Sequence, residues 1–471
     1  MLKSLWNRYL PLLLSVGVGV GIASLPLPHG LDQKAWYLFA IFVAAIFGIV
    51  SKALEVGAVA LLAFAVATVS GVLSLPQALS GFSQAVIWLI AVAFLISRAF
   101  VKTGLGKRIA YHLVVLLGKR SLGLSYGLAI ADLILAPAIP SNTARAGGIL
   151  YPIAQSLAQS FGSDPETGTA RKIGSFLVKS VFQCNLITSA MFLTAMAANP
   201  LAVKMAADLG VELGWGAWAL YASVPGLLSL AVIPLFLYWF YPPELKQTPH
   251  APDLARKELA LMGPMSWQEW VMLGVFFLLL TLWIAGSYIE LSPTTTAFLG
   301  LAILVVTGVL SWDDVLREKS AWDALIWFSV LVMMAGYLNE FGFIPWFTEN
   351  IKVYIQDLDW TLAFPVIALA YFYSHYFFAS NTAHVSAMYG AFLAVGIAVG
   401  ISPLLVAITL AFFSNLFASM THYGTGPAPV LFGSGYVEVK AWWLLGLGIS
   451  VINILIWLGL GGLWWHFLGV W

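Results

Sequence analysis

The tetrad Ser-Asn-Thr-Ala occurs twice, at 141–144 and at 380–383, and each copy lies within apolar sequence. Serine and threonine hydroxyls and asparagine amides donate hydrogen bonds to carboxylates, and their oxygens also coordinate small hard cations. Arg145 follows the first copy and His384 follows the second. A guanidinium pairs with a carboxylate through two parallel hydrogen bonds, and an imidazole donates to an anion or titrates near neutral pH. The repeated pattern predicts a binding site for a small anion or cation.

The composition is typical of a membrane protein. Hydrophobic residues make up 61% of the 471 residues and charged residues 9%, whereas about 25% charged is usual in soluble domains. Many apolar runs reach the roughly 20 residues that cross a bilayer. The net charge of +1 gives no reason to expect nucleic-acid binding, and the single Cys184 excludes an internal disulfide. The sequence contains no hydrolase or phosphate-loop pattern, so we expect no catalytic residues and no cofactor.

These features predict an all-α polytopic membrane protein with about eleven transmembrane helices. Two further apolar segments, about 122–160 and about 361–400, are interrupted by small and polar residues, and each contains one tetrad. We interpret them as re-entrant helical hairpins, because broken helices are tolerated in a bilayer where their freed backbone groups line a cavity. The predicted spans are about 9–27, 36–51, 55–75, 84–101, 173–198, 216–241, 269–290, 294–310, 322–341, 403–421 and 442–468.

The polar segment 242–268 is predicted to be a cytoplasmic linker that divides the chain into two halves, 1–241 and 269–471, with one hairpin in each. Two similar halves with oppositely oriented hairpins indicate an inverted repeat, which is typical of secondary transporters. Lysine and arginine residues, Lys179 among them, concentrate on one side of this topology. The positive-inside rule then places the N-terminus in the cytoplasm and the C-terminus outside.

A weaker echo follows each hairpin, since "CNLITSAM" at 184–191 resembles "SNLFASMT" at 414–421. We expect Thr421, Thr425 and the break at 424–426 to face the second hairpin. The first-half equivalents are Asn185, Thr188 and Ser189. Polar residues in membrane helices often only bond across helices. Two tetrads in matched positions of two halves favour a binding site over that reading.

Arg145 and His384 each have two interpretations. A cation at membrane depth is costly and by default marks a functional site, so Arg145 either contacts substrate or forms an ion pair with Asp132 in the other arm of its hairpin. His384 either donates to an anion or packs as a neutral side chain. His375, Tyr376 and His422 are weaker candidates for contact with the site.

The motifs "PSNTARAGGILYPI", "SNTAHVSAMYGAF" and "THYGTGPAPVLFGSGYV" resemble the divalent anion/sodium symporter family across the whole chain. The branch that looks most similar holds the plastid 2-oxoglutarate/malate translocators and bacterial citrate–succinate and tartrate–succinate exchangers. The resemblance implies a homodimer in which each protomer has a scaffold domain and a transport domain that moves like an elevator. It also implies that substrate carboxylates bind the tips, namely Ser141, Asn142, Thr143, Ser380, Asn381 and Thr382, with Thr421 nearby.

The symporters of this family bind sodium beside the tips, which here would involve Ser141, Asn142, Asn381 and carbonyls of the facing loops. This sequence differs, because Pro137 and Tyr376 stand one turn before the tetrads where symporters tend to carry small hydroxyls. Arg145 and His384 supply fixed positive charge in place of sodium. We therefore expect no metal site and an obligatory, sodium-independent exchange of 2-oxoglutarate, malate, succinate or citrate-like anions, since crossing with a bare buried Arg145 would be costly.

Sodium-coupled dicarboxylate symport is the alternative within the same fold. A polytopic membrane enzyme is a remote alternative. Its only candidate catalytic residues at membrane depth would be Asp132, Arg145, His375 and His384. The expected location is the inner membrane of a bacterial cell.

Overall fold

The computed structural model describes residues 2–355 and 359–471, and the side chains of 2–9, 287–288 and 351–355 lie outside the description. The described chain is helical, with one isolated antiparallel bridge between Arg120 and Gln247. The predicted all-α class is confirmed. The α-helices are α1 Leu2–Ala23, α2 Gln33–Val50, α3 Val56–Val69, α4 Leu75–Leu79, α5 Ala85–Thr103, α6 Leu105–Leu117, α7 Ser121–Leu135, α8 Tyr151–Ser160, α9 Gly174–Met191, α10 Ala198–Ala207, α11 Trp215–Phe240, α12 Ala251–Met262, α13 Trp267–Ile289, α14 Pro293–Val306, α15 Trp312–Arg317, α16 Lys319–Glu340, α17 Phe343–Ile355, α18 Trp360–Ser374, α19 Asn381–His384, α20 Gly390–Ala398, α21 Pro403–Leu416, α22 Pro427–Phe432, α23 Val439–Ile454 and α24 Gly461–Phe467.

Six helices of the described chain are long and apolar enough to cross a membrane, and five shorter apolar helices accompany them. Each of the eleven predicted spans contains a helix, although the number that cross the bilayer stays a prediction. The predicted span 173–198 is interrupted, because α9 ends at Met191 and Phe192 is extended. Between the spans, the structure has further helices that the sequence did not predict, including α6, α10, α12 and α17.

The chain forms two compact units, and each is assembled from three separate segments. Unit 1 comprises 1–91, 200–212 and 319–410, and unit 2 comprises 92–199, 213–318 and 411–471. In unit 1, a hydrophobic core forms between α2, α3 and α16. In unit 2, α9 is central, since every one of its residues is buried and it packs on α7, α8 and α11.

Both predicted hairpins are present as pairs of helices joined by a break. The first consists of α7, the non-helical residues near 139–141, a π-helical turn at Ala144–Leu150, and α8. The second consists of α18, α19, a π-helical turn at Val385–Tyr389, and α20. Each tetrad thus begins the second arm of its hairpin and is followed by a π-helical turn, a feature found frequently at functional sites. Their re-entrant placement in a bilayer stays a prediction.

Candidate functional site

The serine of each tetrad caps the helix that follows. Ser141 Oγ accepts a hydrogen bond from the Ala144 amide at 3.1 Å, and Ser380 Oγ accepts one from the Ala383 amide at 3.4 Å. Serine is a preferred capping residue because its hydroxyl satisfies an amide that has no partner within the helix. In both tetrads the asparagine is buried, whereas the serine and threonine are half-buried. The two tetrads therefore share one local structure, one in each unit.

In unit 2, the first tetrad packs against the segment that follows α21. Asn142 Nδ2 donates to Thr425 Oγ1 at 3.0 Å, and both residues are buried. Gly426 lies directly on Thr143, since a Cβ at this glycine would overlap the threonine hydroxyl. The sequence predicted that the Thr421–Gly426 loop faces the second hairpin, and the structure places it against the first tetrad.

Thr421 stabilises this loop through two hydrogen bonds. Its Oγ1 accepts a hydrogen bond from the Gly424 amide at 2.9 Å, and its carbonyl accepts one from Trp442 Nε1 at 3.1 Å. The predicted site residue Thr421 thus shapes the loop that carries Thr425. His422 Nδ1 accepts from Trp443 Nε1 at 3.0 Å.

The interruption after α9 forms the other neighbour of the first tip. Thr194 Oγ1 donates to the Pro137 carbonyl at 2.5 Å and accepts from Trp215 Nε1 at 3.1 Å. Met196 Sδ lies 3.9 Å from Asn142 Nδ2. Sequence reasoning missed Thr194 and Met196, because neither proline nor glycine occurs between 191 and 198 to indicate a break.

Arg145 is fully buried, and its donors are engaged by the protein. Nε donates to Asp132 Oδ1 at 2.9 Å, and one terminal nitrogen donates to Ser189 Oγ at 2.8 Å. The other terminal nitrogen donates to the carbonyls of Ile139 and Ala195, at 2.5 and 2.6 Å. Of the two interpretations left open by the sequence, the ion pair with Asp132 is present, and direct contact with substrate stays a prediction.

Asp132 completes this buried network. Its Oδ2 accepts hydrogen bonds from Asn185 Nδ2 at 2.9 Å and from Thr188 Oγ1 at 2.5 Å. The first-half equivalents Asn185, Thr188 and Ser189 therefore bind Asp132 and Arg145. Because Asp132 neutralises Arg145, the guanidinium is not a bare charge, and the argument for obligatory exchange from a bare Arg145 loses its premise.

In unit 1, His384 is fully buried in an aromatic cluster. Its ring stacks on Tyr371 and Phe378, with centroids 4.7 and 4.6 Å apart, and lies near His375 at 5.3 Å. Nε2 lies 3.0 Å from Ser374 Oγ, which itself donates to the Tyr371 carbonyl at 2.8 Å. Since the single hydroxyl proton of Ser374 is used there, we assign Nε2 as the protonated nitrogen that donates to Ser374.

Other predicted residues have different surroundings. Tyr376 is 44% exposed, so it does not belong to the buried part of the second hairpin. Lys179, predicted on the cytoplasmic side, is fully buried within α9. The predicted span 173–198 includes Lys179, but the sequence contained no signal that its side chain is buried.

The family model for the sodium:sulfate symporter transmembrane region matches residues 6–471. The chain belongs to this family. The family prediction from the sequence is confirmed, and so is the prediction of a membrane transporter rather than an enzyme.

Relatives of similar length support this membership. YflS of Bacillus subtilis is 55% identical, and the match covers 98% of this chain and 97% of that protein. Dicarboxylate transporter 1 of spinach chloroplasts is 48% identical over 98% of this chain and 82% of its own length. The inner membrane protein YbhI of Escherichia coli is 40% identical over 100% and 99%.

The fold is also found in a solved structure. The crystal structure of the Alcanivorax borkumensis YdaH transporter matches with a TM-score of 0.54 and 13% identity, and the match covers 99% of this chain and 98% of that one. At this identity the similarity concerns the fold alone. It agrees with the predicted polytopic helical architecture.

Proposed function

We propose that the protein exchanges dicarboxylate or tricarboxylate anions across a membrane without sodium. The substrate class is supported by the spinach relative, which is named a dicarboxylate transporter, and by hydroxyl and amide donors in both tetrads. Ser141, Asn142 and Thr143 would bind carboxylate oxygens, and Ser380, Asn381 and Thr382 have the same local structure and are assigned the same role.

The position of the Arg145 guanidinium carries the sodium-independent part of the proposal. Carbonyls freed at broken helices are the usual ligands for sodium in secondary transporters. Here the carbonyls of Ile139 and Ala195 accept hydrogen bonds from Arg145. A sodium ion beside them would compete with the guanidinium for these two carbonyl ligands.

Sodium-coupled symport is the second candidate, and two observations favour it. Asp132 neutralises Arg145, so this pair adds no net charge to balance an anion. The family is also described by its sodium:sulfate symporters. A fixed or bound cation elsewhere would then have to supply the charge.

Thermal stability of the purified protein separates the two candidates. Ligand binding to the native state raises the melting temperature, so malate, succinate and citrate are tested at millimolar concentration in sodium and in potassium. Equal shifts in both salts support the proposal, and shifts that require sodium support symport. Uptake of labelled dicarboxylate into proteoliposomes that contain no dicarboxylate, driven by a sodium gradient, would overturn exchange.

We further propose a homodimer with an elevator mechanism in a bacterial inner membrane, as YbhI is named an inner membrane protein. Without Lys179, which is buried in α9, the remaining lysine and arginine residues still concentrate on the predicted cytoplasmic side. The N-terminus is therefore still assigned to the cytoplasm and the C-terminus to the outside. Cysteine labelling of the two ends in intact cells tests this orientation.

A further inference from the structure

Unit 2 contains a buried lysine, Lys179, that forms no ion pair among the described residues. Among the side chains that the structure describes, its buried charged residues are Arg108, Asp132, Arg145, Lys179 and Glu269. Arg145 pairs with Asp132, and Arg108 pairs with Glu269, with Arg108 Nε 2.5 Å from Glu269 Oε1. Lys179 forms no ion pair in the described part of the chain. Among the described residues, Lys179 is therefore the one buried charged-type side chain of this unit that has no partner of opposite type.

The contacts of Lys179 are of a kind that suits an ammonium ion. Nζ donates to the Trp442 carbonyl at 3.0 Å. The same nitrogen lies 4.0 Å from the centroid of the Trp442 ring and 5.3 Å from that of Phe182. A carbonyl oxygen accepts a hydrogen bond from either form of lysine, whereas the faces of aromatic rings attract the ammonium ion. These contacts include no acidic group that would cancel the charge of an ammonium ion at this position.

Trp442 links this cation to the first tetrad. Its indole nitrogen donates to the Thr421 carbonyl, at the start of the loop whose Thr425 accepts from Asn142. One turn beyond Lys179, Gln183 Nε2 donates to the Ser419 carbonyl at 2.9 Å, just before this loop. The lysine is therefore anchored beside the segment that contacts the proposed binding residues.

We propose that Lys179 supplies the buried positive charge that offsets the bound anion and selects for multiply charged substrates. This inference rests on the proposed function. Since Arg145 and Asp132 cancel, Lys179 leaves the unit with an excess positive charge before substrate binds. A dianion gains attraction from this charge, which acts strongly across a low-dielectric interior.

The test compares Lys179→Met with Lys172→Met in the full-length protein. Methionine preserves the unbranched shape of lysine and removes the charge. Lys172 is a half-buried lysine at the start of the same region, where water screens its charge. Affinity for succinate is measured by melting-temperature titration, and the melting temperature without ligand reports stability.

For Lys179→Met we expect succinate affinity to fall about tenfold, the order of one unit charge acting through a protein interior. The melting temperature without ligand should be unchanged or higher, because an unpaired buried charge is lost. If Lys179 had a merely structural role, its substitution would lower both the succinate affinity and the melting temperature without ligand. Lys172→Met should leave affinity within about twofold.

The inference is overturned if Lys179→Met binds succinate with wild-type affinity. It is also overturned if the variant loses both affinity and melting temperature without ligand. If Lys179→Met does not fold, Lys179→Gln is measured by the same titration and judged by the same outcomes. If no carboxylate stabilises the wild type, the proposed function fails. The role of Lys179 is then decided with sulfate, and unchanged sulfate affinity in the variant overturns it.

Discussion

Arg145 Nε lies 2.9 Å from Asp132 Oδ1, and both side chains are buried. Asp132 belongs to α7 and Arg145 follows the first tetrad, so this ion pair joins the two arms of the first hairpin. Arg145 also holds the Ile139 carbonyl at the break between the arms. The pair therefore fixes the backbone that presents Ser141 and Asn142.

Asp132→Asn should destabilise the protein by about 3–5 kcal/mol, because it leaves the Arg145 charge buried without its partner. The measurement is the melting temperature of the purified protein without ligand. Asp253→Asn is the control, since its ion pair with Arg256 is 59% exposed on both sides and should be worth less than about 1 kcal/mol. Equal effects of the two substitutions would contradict a special role for the buried pair.

The sequence predicted two broken helical hairpins with one tetrad in each, because apolar runs broken by small polar residues have few other structures available. The capping by Ser141 and Ser380 was not among the predictions. It left Arg145 between two roles, since only tertiary packing decides which acceptors surround a guanidinium. The sequence placed Lys179 on the cytoplasmic side, yet α9 is buried on all sides and the lysine contacts Trp442. The repeat led to the prediction that Thr421–Gly426 faces the second hairpin, whereas Thr425 contacts Asn142 of the first, because similarity between halves does not define which segments pack together.

Asn142→Ala should abolish the rise in melting temperature that dicarboxylate produces, because it removes a proposed substrate donor. It also removes the bond to Thr425 Oγ1, which is worth about 1 kcal/mol of stability. Thr425→Val removes the same bond and leaves the amide in place. We therefore expect Thr425→Val to lose similar stability while it retains a ligand-induced rise.

The two variants are compared by melting temperature with and without succinate. Their stability losses should be less than additive in the double variant, because both remove one shared interaction. Retained succinate stabilisation in Asn142→Ala would remove Asn142 from the binding site.

Gly426→Ala should destabilise the loop against the first tetrad, since the new methyl group would overlap the Thr143 hydroxyl. Overpacking of this kind typically costs 1–3 kcal/mol. Gly148→Ala is a matched control in the same hairpin, because a Cβ there meets no atom within 4 Å. Thr143→Ala should restore part of the melting temperature lost in Gly426→Ala, and no restoration would argue that the loop fails for another reason.

Lys102 Nζ lies 2.5 Å from Asp314 Oδ2. We expect the stability that this ion pair contributes to depend on pH in the acid range. The hydrogen bond from Lys102, followed by that from the Ser311 amide, holds the pKa of Asp314 well below its ordinary range. A carboxyl whose pKa is lower in the folded protein contributes stability above its unfolded pKa of about 4. That contribution is lost as the pH falls below about 4 towards the folded pKa.

Melting temperatures of the wild type and Asp314→Asn between pH 7 and pH 3 test this linkage. We expect the wild type to be more stable above pH 5, by up to about 1 kcal/mol because the lysine is partly exposed. The difference should narrow below pH 4, where the Asp314 carboxyl of the unfolded chain takes up a proton while that of the folded protein stays ionised. The neighbouring Asp313→Asn is the control, since Asp313 pairs with Arg317 at an exposed site, 63% and 79% exposed. A difference between wild type and Asp314→Asn that stays constant down to pH 3 would show that the carboxylate charge does not stabilise this contact.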